Sequence, residues 1–262
     1  MFKILSQIAG FSVNATDGAV GKIKDFLLDD EHWTTRYFVV ETGHFFNQRR
    51  VLLTPASLEY VDWGAERFEL RLSRDKVNGS PDIDADKPVS RQREMEFARY
   101  YGYPHYWAYA GVWGMGAHPG FLVLNTPDQL PPKPTDNPGD IHLRSMKEVR
   151  GYHIEGTDEA LGHVDDFIVD EATWQIRYLV IDTRNWWPGK KVLLAPAWAD
   201  HISWEERRVY VKTARDALRS SPEWNGDLSG LTRSYEERLH EHYGYAGYWG
   251  PPDAARQGRE AS

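Results

Sequence analysis

Along this chain, apolar and polar positions alternate in short runs and then change to a longer period, and the whole pattern is written twice. "RYFVVET" (Arg36–Thr42) and "RYLVIDT" (Arg177–Thr183) are rich in β-branched and aromatic residues. "RRVLL" (Arg49–Leu53) and "KKVLL" (Lys190–Leu194) come after short breaks that carry Asn47 in one case and Pro188-Gly189 in the other. Short strands at close spacing, joined by turn residues, predict a small antiparallel barrel or sandwich in each copy. Beyond each barrel the period lengthens. "SRQREMEFARYYG" and "TRSYEERLHEHYG" predict helices with Ser90 and Thr232 as N-caps and Gly102 and Gly244 at the C-terminal ends. In the second, Leu231, Tyr235, Leu239 and Tyr243 recur every fourth residue and form one apolar stripe, which needs a surface to lie on.

The duplication decides the architecture. "DGAVGKIKDFLLDDEHWTTRYFVVET" (Asp17–Thr42) aligns without a gap to "DEALGHVDDFIVDEATWQIRYLVIDT" (Asp158–Thr183), and the register holds through "VLLTPA" and "VLLAPA". Gly21 and Gly162, like Pro55 and Pro196, differ by 141 positions. Each copy closes on an aromatic tail, "YYGYPHYW" (Tyr100–Trp107) and "HYGYAGYW" (His242–Trp249), shifted by one further residue. The expected organisation is a first barrel over 1–81, a helix and tail over 82–124, a proline-rich linker over 125–140, a second barrel over 141–222, and a second helix and tail over 223–262. The linker, "NTPDQLPPKPTDNPGD", reads as semi-extended where its prolines cluster.

Composition narrows the function classes. The chain has 262 residues, 41% of them hydrophobic, enough for two small cores. A net charge of -8 argues against phosphate-backbone binding as the main task, so nucleic acid is not expected as a partner. No cysteine is present, which removes disulfides, thiolate metal sites and a thiol nucleophile. No apolar run reaches the length of a signal peptide or a membrane span, and the expectation is a cytoplasmic, non-spanning protein. Tryptophan is abundant, at 11 copies, and rings in that number suit cores and contact surfaces.

"GKIKDFLLD" with "RRVLLTPASL", and "GHVDDFIVD" with "KKVLLAPAW", resemble the PRC-barrel family, the fold of the cytoplasmic domain of the photosynthetic reaction centre H subunit and of the C-terminal domain of the ribosome maturation factor RimM. The whole chain is similar to bacterial tandem PRC-barrel proteins, and Glu148–Pro196 is the densest match. The resemblance implies a mainly β fold with two homologous small antiparallel PRC-type β-barrels, each followed by a short helix and an aromatic tail. It does not transfer an activity, because unrelated functions share one barrel. Unlike the H subunit the chain has no membrane helix, and unlike RimM it has no N-terminal domain of the kind preceding that barrel.

Among candidate residues, Asp25 and Asp166 hold the same place in the repeat and alternate with apolar neighbours, so each points into a barrel or marks a bulge. A buried carboxylate there would suit proton handling, and the H-subunit resemblance implies a relay role. No His or Lys holds an equivalent place in both copies, which favours a carboxylate accepting backbone N–H bonds at a strand bend. The acidic runs at Asp29–Glu31 and Asp170–Glu171 lack the spaced ligands of a calcium loop and read as turns. His240 and His242 point to different faces of their helix, so no metal and no cofactor is expected. No nucleophile elbow, Walker loop or dinucleotide fingerprint is present, and the chain is not expected to be an enzyme.

The loops after "VVET" and "VIDT" carry the most informative surface feature. One gives Phe45, Phe46, Arg49 and Arg50, the other Trp186, Trp187, Lys190 and Lys191. Paired rings and then paired cations suit a docking surface for a protein or an acidic membrane face; alternatively the rings fold back over a barrel mouth. The aromatic tails are expected to cover an apolar strip the small barrel cannot close alone, with Trp107 and Trp249 buried and both tails docked alike. The function these features favour is a non-enzymatic binding or assembly module for an unknown protein or membrane-associated complex. An accessory role in electron or proton transfer is the alternative, and a ribosome-associated factor is a weaker one. Homo-oligomerisation is left open.

Overall fold

A computed structural model describes residues 1–43, 48–83, 89, 91–109, 111–124, 143–183 and 191–249, with the backbone alone at Arg91, Gln92, Val123 and Leu124. In the first repeat the strands are β1 (Phe2–Ile4), β2 (Ser12–Ala15), β3 (Gly18–Asp29), β4 (Thr34–Thr42), β5 (Arg49–Leu53), β6 (Leu58–Asp62) and β7 (Arg67–Leu70). In the second they are β8 (Leu143–Ser145), β9 (His153–Glu155), β10 (Ala160–Asp170), β11 (Ile176–Asp182), β12 (Lys191–Leu194), β13 (Ala199–Ser203) and β14 (Arg208–Val211). Among the described residues seven α-helices interleave with them: α1 (Leu5–Ile8), α2 (Arg74–Asn78), α3 (Arg91–Tyr101), α4 (Phe121–Leu124), α5 (Met146–Val149), α6 (Arg215–Ser220) and α7 (Arg233–Tyr243).

The fold is mainly β, with two seven-stranded sheets of the same order. One runs β5-β4-β3-β2-β7-β6 with β8 on β3, and the other runs β12-β11-β10-β9-β14-β13 with β1 on β10. Leaving aside the β1–β10 pair, the pairing is antiparallel except at one place in each sheet. There β2 runs parallel to β7, with Ser12 opposite Arg67, and β9 runs parallel to β14, with His153 opposite Arg208. No ladder among the described residues joins β5 to β6 or β12 to β13, so the sheets curl without closing into a hydrogen-bonded barrel. Gly21 and Gly162 show why the repeat keeps this glycine. A Cβ there would run into the carbonyl of Glu41 or of Asp182 on the neighbouring strand.

The chain resolves into two compact units. Unit 1 comprises 1–148 and 169–176, and unit 2 comprises 149–168 and 177–262. Unit 1 therefore uses sequence from both repeats. Leu143 to Ser145 pair with Asp29 to Leu27, Thr35 N donates to Trp174 O at 2.8 Å, and the Trp174 ring lies 4.8 Å from Phe38 and 5.9 Å from Phe68. On the opposite face of β3-β4-β5, Tyr37, Val39 and Leu52 form a second core with Leu27, Leu143, Val89 and Phe97 of α3. β4 is thus covered on both faces, which is why it reads as a continuous apolar run rather than a strict alternation. In unit 2 the predicted stripe is the buried face of α7, with Leu231, Tyr235 and Leu239 buried. Thr232 caps that helix by accepting from Tyr235 N at 3.3 Å, and Gly244 ends it at φ 73°.

Candidate functional site

The sequence duplicated an arginine, a glutamate and two tyrosines whose partnership no local pattern displays. Arg36 on β4 is buried, as are Glu94 on α3 and Tyr106 in the first tail. The guanidinium lies 3.8 Å from the centre of the Tyr106 ring, and Tyr106 donates its hydroxyl proton to Glu94 Oε1 at 2.8 Å. Arg36 also binds Asp29 Oδ2 through Nε at 2.9 Å and Nη2 at 2.6 Å, and donates to the carbonyl of Val112. Burial alone would raise the Asp29 pKa, but hydrogen bonds from His32 and Arg36 and the arginine charge outweigh it and hold the carboxyl far below the usual range. Tyr106 is pushed well above its ordinary value by burial and by Glu94.

Unit 2 repeats the arrangement in its own terms. Arg177 lies 4.1 Å from the Tyr248 ring. Tyr248 and Tyr178, the latter on β11, both donate to Glu236 Oε1 at 2.8 Å. Burial and the bond to Glu236 raise Tyr248 to about 12. His240, whose counterpart in the first repeat is Ala98, donates Nδ1–H to Ala246 O in the tail at 3.0 Å and packs 4.8 Å from both Trp198 and Trp249. Desolvation depresses its pKa. Trp198 in turn stacks on Tyr245 at 5.2 Å and 11°. Each tail is therefore clipped to a helix and a strand of its own unit by a Tyr–Glu bond, buried in unit 1 and partly buried in unit 2, and an Arg–Tyr contact. In unit 1 the buried ring is Tyr106, whereas in unit 2 both Tyr248 and Trp249 are exposed; Trp107 is half-buried and Trp249 exposed, which corrects the expectation that the tryptophans are the buried anchors. The signal for this site was present in the alignment: a charged residue kept at one register position amid apolar neighbours in both copies.

The predicted residues take different places. Phe45, Phe46, Trp186, Trp187 and Lys190 lie outside the described residues. Arg49 donates to Ser80 O at 2.8 Å and to the carbonyl of Asn78, and Lys191 donates to Asp165 Oδ2 at 2.6 Å; these cations are engaged within their own repeats. Arg50 is exposed. Asp25 sits at a register shift of β3, accepts from Phe26 N at 2.8 Å and from Ser145 Oγ at 2.5 Å, and is raised by burial against the lowering effect of those bonds. Asp166 is buried and accepts from Phe167 N at 2.8 Å. Neither carboxylate joins the arginine–tyrosine cluster. Among the described residues, one group with metal-ligand chemistry converges: Asp29, Glu31 and His32 bring ligand atoms within 4.8 Å of one another. The Arg36 guanidinium on Asp29 already supplies the positive charge there, so the group makes an ion pair with a turn rather than a cation site.

The paths β5-β4-β3 and β12-β11-β10, the shared glycine and the parallel pair in each sheet describe one recurring small β unit. Residues 144–218 match the PRC-barrel domain. The PRC-barrel segment runs from β8 to α6, and the first repeat, outside the match, has the same strand order. A search of curated proteins found no significant match. Among the described residues no helix is long and apolar enough to cross a membrane.

Proposed function

We propose that the protein is a non-enzymatic binding or assembly module that captures a protein or membrane-associated partner through two hairpins. A PRC-barrel domain supports a binding or assembly role in general. The observation that carries the finer reading is the end of each ladder, Thr42 opposite Arg49 and Asp182 opposite Lys191. Those pairs leave residues 43–48 and 183–190, with their paired rings, as the connections between neighbouring strands, twice and at one register. The test is capture from native extract by wild type and two double variants. Trp186→Ala with Trp187→Ala is expected to keep the melting temperature and lose capture, and Lys190→Glu with Lys191→Glu to weaken it in a salt-dependent way. Unfolding of the tryptophan variant would make the rings core and remove the reading.

One observation supports the alternative of proton handling: burial raises Asp25. The measurement that decides it is a carboxyl titration by NMR, in which an ordinary carboxylate value for Asp25 sinks the relay.

A further inference from the structure

The path of the first sheet ends on β6, and beside that strand lies a groove of about 310 Å³ whose lining residues all belong to unit 1. Its buried lining is apolar: Pro55 and Ala56, in the turn that leads into β6, with Pro119 and Trp174. β6 itself contributes Tyr60, and the turn after it Trp63. His118 also lines the groove and is fixed there by donating Nδ1–H to Ala172 O at 3.2 Å. Trp63 is half-buried and meets Phe11 and Phe68 edge to face at 6.2 and 6.4 Å, so the groove is built on rings that belong to the core.

The charges at this groove are paired within the protein. Glu171 lies 3.6 Å from Lys3, whose ammonium also sits 3.9 Å from the centre of the Trp63 ring, and Arg71 donates to Glu59 at 2.5 Å. Two donors are not paired. The Tyr60 hydroxyl and the Trp63 indole N–H have no acceptor among the described residues, and neither is sealed from solvent. Tyr60 is 55% exposed. The second repeat treats this position differently: His201 stands where Tyr60 does and stacks on Tyr210 of the neighbouring strand at 4.3 Å and 10°. The residue opposite Tyr60 is Glu69, which is turned to Arg67 and Asn14, so among the described residues no ring stacks on Tyr60.

We infer that this groove is a docking site for a proline-rich segment of a partner protein. An apolar lining without unpaired charge selects a neutral, apolar ligand, and side-chain donors without acceptors select one that offers carbonyl groups. A polyproline helix meets both conditions, because each proline brings a ring and a carbonyl but no N–H, and its carbonyls enter no internal hydrogen bond. Aromatic-lined grooves take such segments by this complementarity. An added β-strand fits less well, since β6 breaks register between Leu58 and Tyr60 and carries Glu59 and Asp62, features that blunt a sheet edge. No residue of the groove belongs to the two hairpins, so the failure of either proposal leaves the other standing.

The probes are blocked octaproline and a blocked Gly-Ser peptide of equal length, titrated into the full-length chain while the indole N–H signals are monitored by NMR. The expected result is a saturable shift of the Trp63 signal by octaproline, with Kd below about 1 mM, and none by the Gly-Ser peptide. Tyr60→Ala is expected to weaken binding about tenfold, and Tyr60→Phe by less, because it keeps the ring and loses only the hydroxyl. Tyr60 is exposed, so both variants keep their melting temperature. Three outcomes overturn the inference: no Trp63 shift up to about 10 mM octaproline; an equal shift by the two peptides; or an unchanged affinity in Tyr60→Ala. A fourth is a response that appears only in a variant with Pro131→Ser, Pro132→Ser and Pro134→Ser, which would assign the groove to the chain's own proline-rich segment instead of a partner's.

Discussion

Arg36 and Arg177 occupy one position in two copies of one unit and face the same tyrosine, yet one ends in a closed core and the other beside an open surface. Around Arg36 every polar atom has been given a protein partner from Asp29, Val112 or the ring faces of Tyr106 and Trp113. Around Tyr248 the partners come from α7, through Glu236 and Arg233, and the far side of the rings faces solvent. The duplicated sequence thus specifies the clip, and the segment C-terminal to the clip decides between a closed joint and an exposed one.

The largest expected effect breaks that contrast at its charge. Arg36→Met strips buried Asp29 of its guanidinium, leaving His32 and backbone N–H groups as partners, and is expected to cost about 3–5 kcal/mol, whereas Arg177→Met, at a partly exposed cation–π contact, costs about 1 kcal/mol. Urea denaturation of both variants measures the difference, and recovery of most of the loss in Arg36→Met with Asp29→Leu would locate it in the ion pair. Next come the rings. Trp113→Ala empties a core position and is expected to cost about 3–5 kcal/mol, while Trp249→Ala costs under about 1 kcal/mol. Equal melting shifts for the two would contradict the open reading of unit 2.

The smallest effect sharpens the contrast through pH. His240 is buried in its neutral form beside Tyr178 on β11, Arg233 and Glu236 on α7, and Tyr248 in the tail, and its folded pKa lies below the unfolded value of about 6.5. On acidification the unfolded or detached state takes up the proton first. The contribution is therefore complete above that pH and is lost as pH falls from there toward the folded pKa. The second tail is expected to loosen on mild acidification, seen as a change at the Trp249 indole, with no parallel change at Trp113, since Ala98 stands where His240 does. His240→Gln removes the response; a response that survives in that variant assigns it elsewhere.

How much of this could be read from the sequence differs by kind of interaction. Local signals held: the strands after Arg49 and Lys191, the Thr232 cap, the Gly244 end and the stripe on α7 all depend on spacing within a few residues. The parallel pairing of β2 with β7 was not legible, because a strand's periodicity carries its faces and not its partner. Nor was the burial of Arg36. At a strand position beside a tyrosine it reads as an outward-facing cation, and only the return of the tail, from Tyr106 to Trp113, converts it into core. The aromatic spacing of the tails does not say which ring meets the helix: that depends on Glu94 and Glu236, whose hydroxyl partners a helix pattern does not name.

The inclusion of β8 and residues 169–176 in unit 1 bears on how the chain is born. Although unit 1 begins at Met1, its core lacks Leu143 and Trp174 until residue 176 has left the ribosome. At roughly 5–20 residues per second, synthesis from residue 124 to residue 176 takes roughly 3–10 s. During that interval the face of Phe38 and Phe68 that Trp174 will cover waits without its lid, so the first unit cannot finish folding until part of the second repeat has followed it out.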